Sequence, residues 1–184
     1  MMKGLLNSGG EPKGWRQIVS TLSDEFISHV LTERPVDHEM EPFVKSELQM
    51  YLGLLMGSKL NEGFSERIAL DVIKYYMLRV HENAKLLGFS YHEIMKMTSQ
   101  RHDFFIDGLF DSDNSDDFLR TTAMQWFQFP LLEVDGGIRP NEYDFSVYFS
   151  DNYVVSDILF KLAPTYVNAI IAELKLEVPT FMMN

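Results

Sequence analysis

The chain has no cysteine in its 184 residues. That excludes disulfides, thiolate zinc sites and cysteine nucleophiles, and it fits a reducing compartment. Long apolar runs are missing too. The longest, Tyr51 to Gly57, falls far short of the ~20 residues that cross a bilayer. Met1 to Gly14 lacks the apolar core of a secretory signal, so a soluble, cytoplasmic protein with no membrane partner is expected. Gly9-Gly10 and Gly136-Gly137 are followed neither by a helix-opening Lys-Ser/Thr pair nor by GxGxxG spacing, so no phosphate cradle is evident. The sequence has no GxSxG, no HExxH and no ExxH, which removes the serine-hydrolase elbow, the zincins and the helical di-iron carboxylate layout. Basic patches interleaved with aromatics are absent, so no nucleic acid partner is expected. Nothing implies a cofactor, and no internal repeat appears.

What is present is a globular composition, 46% hydrophobic and 13% aromatic. A chain of this length buries roughly 70% of the surface that its unfolded form exposes, so it needs no staple. Gly9-Gly10 and Pro12 mark residues 1–14 as a flexible lead-in, followed by a single helical domain over 15–184. Trp15, Ile18, Val19, Leu22, Phe26 and Val30 recur at helical steps up to Pro35. A second helix opens near Glu41-Pro42 with the stripe Val44, Leu48, Tyr51, Leu52 and Leu55. Leu54 and Met56 make its last turns apolar nearly all round, which places it at the centre of the core.

The third helix is expected from Ser65 to Leu87, with the stripe Ala69, Val72, Ile73, Tyr76, Val80, Ala84 and Leu87, and Gly88 ends it. Ser90-Tyr-His-Glu93 reads as a capping box opening a fourth helix through Ile94, Met97, Arg101, Phe105 and Leu109. Leu119, Ala123, Trp126 and Phe127 suggest a short fifth helix ending before Pro130. Across 130–150 the Asp135-Gly-Gly137 turn and the alternation Tyr143, Phe145, Val147, Phe149 suggest a small hairpin or an ordered loop. Helices return near Val154, and Pro164 either kinks that segment or opens another helix. The expected fold is an all-α bundle of six or seven helices with one irregular or hairpin-like insertion near 130–150.

Charge is distributed unevenly. The formal net charge is −11, yet residues 1–60 carry six basic and eight acidic side chains, and residues 61–100 carry five of each. Residues 101–157 hold three basic and twelve acidic side chains, together with twelve of the chain's twenty-four aromatics. Such a field repels phosphate backbones and speeds encounter with basic partners. Most of the rings must be core. Those left beside carboxylates would make a protein-binding face on which rings supply contact area and acids steer the partner.

Four of the five histidines precede an acid: His38-Glu39, His81-Glu82, His92-Glu93 and His102-Asp103. The order His81, then His102-Asp103, then a later aspartate (Asp144, Asp151 or Asp157) superficially resembles the histidine–aspartate phosphohydrolases. That resemblance implies an all-helical enzyme whose metal ion activates water. Neighbours on a helix point about 100° apart, so one pair serves one metal only at a special depth or at a helix end. Asp103 falls on a polar face with Lys96, Ser99 and Gln100, whereas His102 flanks the apolar face. The densest acidic run, Asp111 to Asp117, matches positions one, three, five and seven of a calcium loop through Asp111, Asp113, Ser115 and Asp117. It lacks the central glycine, replaced by Asp116, and the closing glutamate, replaced by Thr122. Helix capping by Asp113, Asn114 or Ser115 explains the same residues.

The sequence therefore favours a non-catalytic protein-binding or regulatory protein of the inhibitor, immunity-type or adaptor kind. It would engage a basic protein through Asp111, Asp113, Asp116, Asp117, Trp126, Phe129 and Tyr143. The alternative is a metal-dependent hydrolase using His81, His102 and Asp103. Homo-oligomerisation through exposed parts of the apolar stripes is a third arrangement.

Overall fold

The structure is a computed structural model that describes residues 14–36, 38, 41–111 and 152–177. Among these residues are five helices and no strand: α1 (Trp15–Glu33), α2 (Glu41–Leu60), α3 (Glu66–Leu86), α4 (Tyr91–Asp111) and α5 (Asn152–Glu177). The helix expected over Leu119 to Phe127 and the insertion expected near 130–150 lie outside the described residues.

The apolar stripes account for the packing. In α1, Ile18, Val19, Leu22, Phe26 and Val30 are buried, and α1 packs most extensively on α5. Trp15 sits at the edge of the core, its ring edge-on to Tyr75 with centroids 5.3 Å apart. The α5 side of the contact is built from Leu159, Ala163, Tyr166, Val167, Ile170 and Leu174. The Phe26 and Tyr166 rings meet edge to face at 5.7 Å. Pro164 lies inside α5 and opens no separate helix, although it cannot donate to the carbonyl of Phe160.

As its composition predicts, α2 is the central element and touches all four other helices. Residues 46–52 are buried all the way round, including Ser46, Glu47 and Gln49. Tyr51 and Tyr76 are almost wholly enclosed, and burial pushes both phenols above their usual pKa, so both rings act as neutral packing groups. Burial of one large side chain such as Phe26 contributes about 1.5–3 kcal/mol.

The α3–α4 connection is as tight as its sequence implies. Gly88 adopts φ 84°, the left-handed conformation that glycine tolerates best. Its amide donates to the Lys85 carbonyl at 2.9 Å, and the amide of buried Phe89 donates to the Ala84 carbonyl at 3.3 Å. These are the two bonds of a Schellman termination. The capping box follows at once: the Ser90 amide donates to the Glu93 carboxylate, and the Glu93 amide donates to Ser90 Oγ at 3.3 Å. Two helix ends are satisfied within a few residues, which sets α4 beside α3 and α2. Among the described residues, no helix is long and apolar enough to cross a membrane.

Candidate functional site

Two glycines one turn apart on α2 shape its contact with α3. A Cβ added at Gly53 would stand 2.6 Å from the Tyr76 ring, so this glycine is what lets the ring lie against α2. The ring cannot readily retreat, because Tyr76 is buried and its hydroxyl donates to the Gln49 carbonyl at 2.8 Å. Gly57 differs. The nearest atom to a Cβ there is Ile73 Cδ1 at 3.4 Å, an ordinary contact distance. Mid-helix glycine costs about 1 kcal/mol relative to alanine, and close packing does not require it at position 57.

Gly57 lines a groove of about 700 Å³ between α2, α3 and α4. Leu54, Leu70, Ile73, Met77, Met95, Phe105 and Ile106 supply most of its apolar wall. Leu70 and Met95 are 47% and 41% exposed, high values for apolar side chains on a packed bundle. The described lining contains no Asp, Glu, Lys or Arg; its polar groups are Ser58, Asn61, Thr98, Ser99 and His102. The Ser58 and Thr98 hydroxyls donate to the carbonyls of Leu55 and Ile94, both at 2.8 Å, which leaves these oxygens mainly as acceptors.

The α4 wall is anchored from beneath by an ion pair that the sequence reading missed. Arg101 Nε and Nη2 donate to the two carboxylate oxygens of Glu47, each at 3.1 Å, and both side chains are 3% exposed. The signal was available in the sequence. Arg101 falls on the apolar stripe of α4, and Glu47 sits in the most hydrophobic part of α2; charges in such places need partners. A second missed link lies on the far side of α3, where Asn83 Nδ2 donates to Gln49 Oε1 at 2.9 Å.

The histidines are placed as follows. His81 faces α4, with Nε2 3.5 Å from Thr98 Oγ1. Because the Thr98 proton is committed to Ile94, the imidazole is the donor in that long contact. Partial burial pushes the His81 pKa below its usual value. His102 stands on the groove rim, and its Nδ1 lies 3.5 Å from Asp103 Oδ1, with both side chains mostly in solvent. Among the described residues, no group of three or more His, Asp or Glu side chains could hold a metal ion. Asp111 ends α4. Asp113, Ser115, Asp116, Asp117, Trp126, Phe129, Tyr143, Asp144 and Asp151 lie outside the described residues.

Arg101 is also the first of the three basic residues in the acidic third of the chain. Buried on Glu47, it offers no charge to the surface. Residues 102–157 then carry two basic against twelve acidic side chains, and that stretch begins on the helix that walls the groove. Comparison with protein-family models, curated proteins and solved structures finds no match to this chain.

Proposed function

We propose that the protein is a non-catalytic binding protein whose partner is a basic protein segment presenting apolar side chains on one face of a helix. The observation that carries this reading is the α2–α3–α4 groove, with Gly57 on its wall and no Asp, Glu, Lys or Arg in its described lining. A glycine that destabilises its own helix, without being needed for close packing, leaves room for atoms from outside. An amphipathic helix laid into a hydrophobic groove is a recurrent mode of recognition. The acids of residues 102–157, including Asp111, Asp113, Asp116 and Asp117, supply the complementary charge. In this reading Trp126, Phe129 and Tyr143 add aromatic contact area.

The test uses a synthetic amphipathic Leu/Lys helix as probe, with binding followed by fluorescence anisotropy. Reversal of Asp113, Asp116 and Asp117 to lysine should weaken binding at low salt and flatten its salt dependence, since exposed charges are screened over about 10 Å at 0.1 M. Binding that is unaltered by the triple reversal at every salt concentration would remove the acidic stretch from the interface.

A further inference from the structure

Among the described side chains of α4, three are buried: Ile94, Arg101 and Phe105. Steps of seven and four residues put them on one stripe, which a helix facing an apolar core ordinarily fills with apolar residues. Here the middle position carries a guanidinium. Its partner Glu47 stands in the stretch of α2 that is buried all the way round.

Stability does not account for this pair. The cost of taking two charges out of water offsets much of their attraction, and well-packed apolar residues in such places leave a protein as stable or more so. What the pair adds is direction. Apolar contact is non-directional, so Ile94 and Phe105 by themselves set α4 against the core without fixing its roll. Arg101 Nε and Nη2 each donate to a different oxygen of Glu47 at 3.1 Å, and two such parallel bonds hold at one distance and one rotation only.

The position of the fork matters for the groove. The Gly88–Glu93 turn fixes the start of α4, and Arg101 stands about 15 Å further along the axis at 1.5 Å per residue. Thr98, His102 and Phe105 line the groove, and each lies within about one turn of Arg101. On the other wall, Glu47 belongs to the same helix as Gly53 and Gly57. A roll or slide of α4 on α2 therefore breaks the fork and displaces one wall of the groove from the other.

We propose that Glu47 and Arg101 are positioning residues for the groove, fixing the rotation and axial place of α4 against α2 so that the three walls form one binding surface. This inference rests on the reading of the groove as the partner's site, and it assigns the pair a role that stability alone does not require.

The experiment measures the α2–α4 distance in the full chain by pulsed electron double resonance, together with affinity for the Leu/Lys helix and stability in urea. With no native cysteine, spin labels attach only at Lys59→Cys on α2 and Asp103→Cys on α4, and neither residue lines the groove. The labelled wild type is expected to give one narrow distance. The double change Glu47→Met with Arg101→Met should keep most of the stability, yet broaden or shift that distance and weaken the helix severalfold. Arg101→Lys keeps the charge without the fork and should broaden the distance as well. A wild-type distance distribution in either folded variant would overturn the assignment, as would wild-type affinity in a folded double variant. Should the wild type fail to bind the helix while the variants show the altered distances, the partner reading falls and the positioning role is supported.

Discussion

Gly53 and Gly57 share a helix and a chemistry, yet the atoms around them give them opposite roles. At Gly53 an added methyl group meets the Tyr76 ring at 2.6 Å, and that ring is held by its hydroxyl bond to Gln49. Gly53→Ala should lower stability by about 1–3 kcal/mol, the usual cost of overpacking a filled core. At Gly57 the same change meets only Ile73 at 3.4 Å and gains helix propensity. Gly57→Ala should be neutral or stabilising by up to about 1 kcal/mol. Urea denaturation of the two variants side by side checks the pair, and equal destabilisation by both would refute the distinction. Neither role was legible in the sequence. A glycine's effect depends on what approaches it from another helix, and the α2 pattern shows only that the surroundings are apolar.

Most of the element scale could be read in advance, for a physical reason. The stripes of α1, α2 and α3 bury nearly every residue that their spacing marks, because a helix must turn its apolar face to something. Gly88 and the Ser90–Glu93 box were legible because helix ends use local chemistry, which nearby residues determine. That Glu47 and Arg101 each needed a partner was legible from their apolar surroundings, but that they pair with each other was not, since they lie far apart in the chain. Removing one member strands the other in a buried site. Glu47→Gln or Arg101→Met should each cost about 3–5 kcal/mol, whereas the double change Glu47→Met with Arg101→Met should recover most of that loss. A denaturant double-mutant cycle measures the coupling, and additive losses would contradict a paired role.

The seam between α3 and α4 also carries a pH dependence. His81 has its pKa lowered by burial, so below about pH 6.5 the unfolded chain takes up this proton more readily than the folded one. The sign follows: the stability associated with neutral His81 is complete above that pH and is lost as pH falls through the lower folded value. Thermal melts between pH 7.5 and 5 should show a steeper acid-side loss in the wild type than in His81→Gln. An identical slope in both would show that His81 is not responsible.

At the scale of the whole molecule, two surfaces of different character flank one central helix. The described lining of the α2–α3–α4 groove is mainly apolar and holds no Asp, Glu, Lys or Arg, whereas the α1–α2–α3 cleft is lined by Asp24, Lys45 and Arg79. The acidic excess of the chain is concentrated after Arg101, in a stretch of sequence that begins on α4. The charge count alone could not separate solubility from partner binding. It gains meaning because α4 both walls the groove and leads into the acidic stretch, and because Arg101 is neutralised within the core.

The most direct test of this account is the affinity of the Leu/Lys helix for the wild type and for Gly57→Leu, a change that places a side chain on the groove wall. The account predicts that Gly57→Leu stays folded and binds the helix at least tenfold more weakly at the same salt concentration. Equal affinity in a folded Gly57→Leu variant would contradict it, because the partner would then be binding somewhere other than the groove.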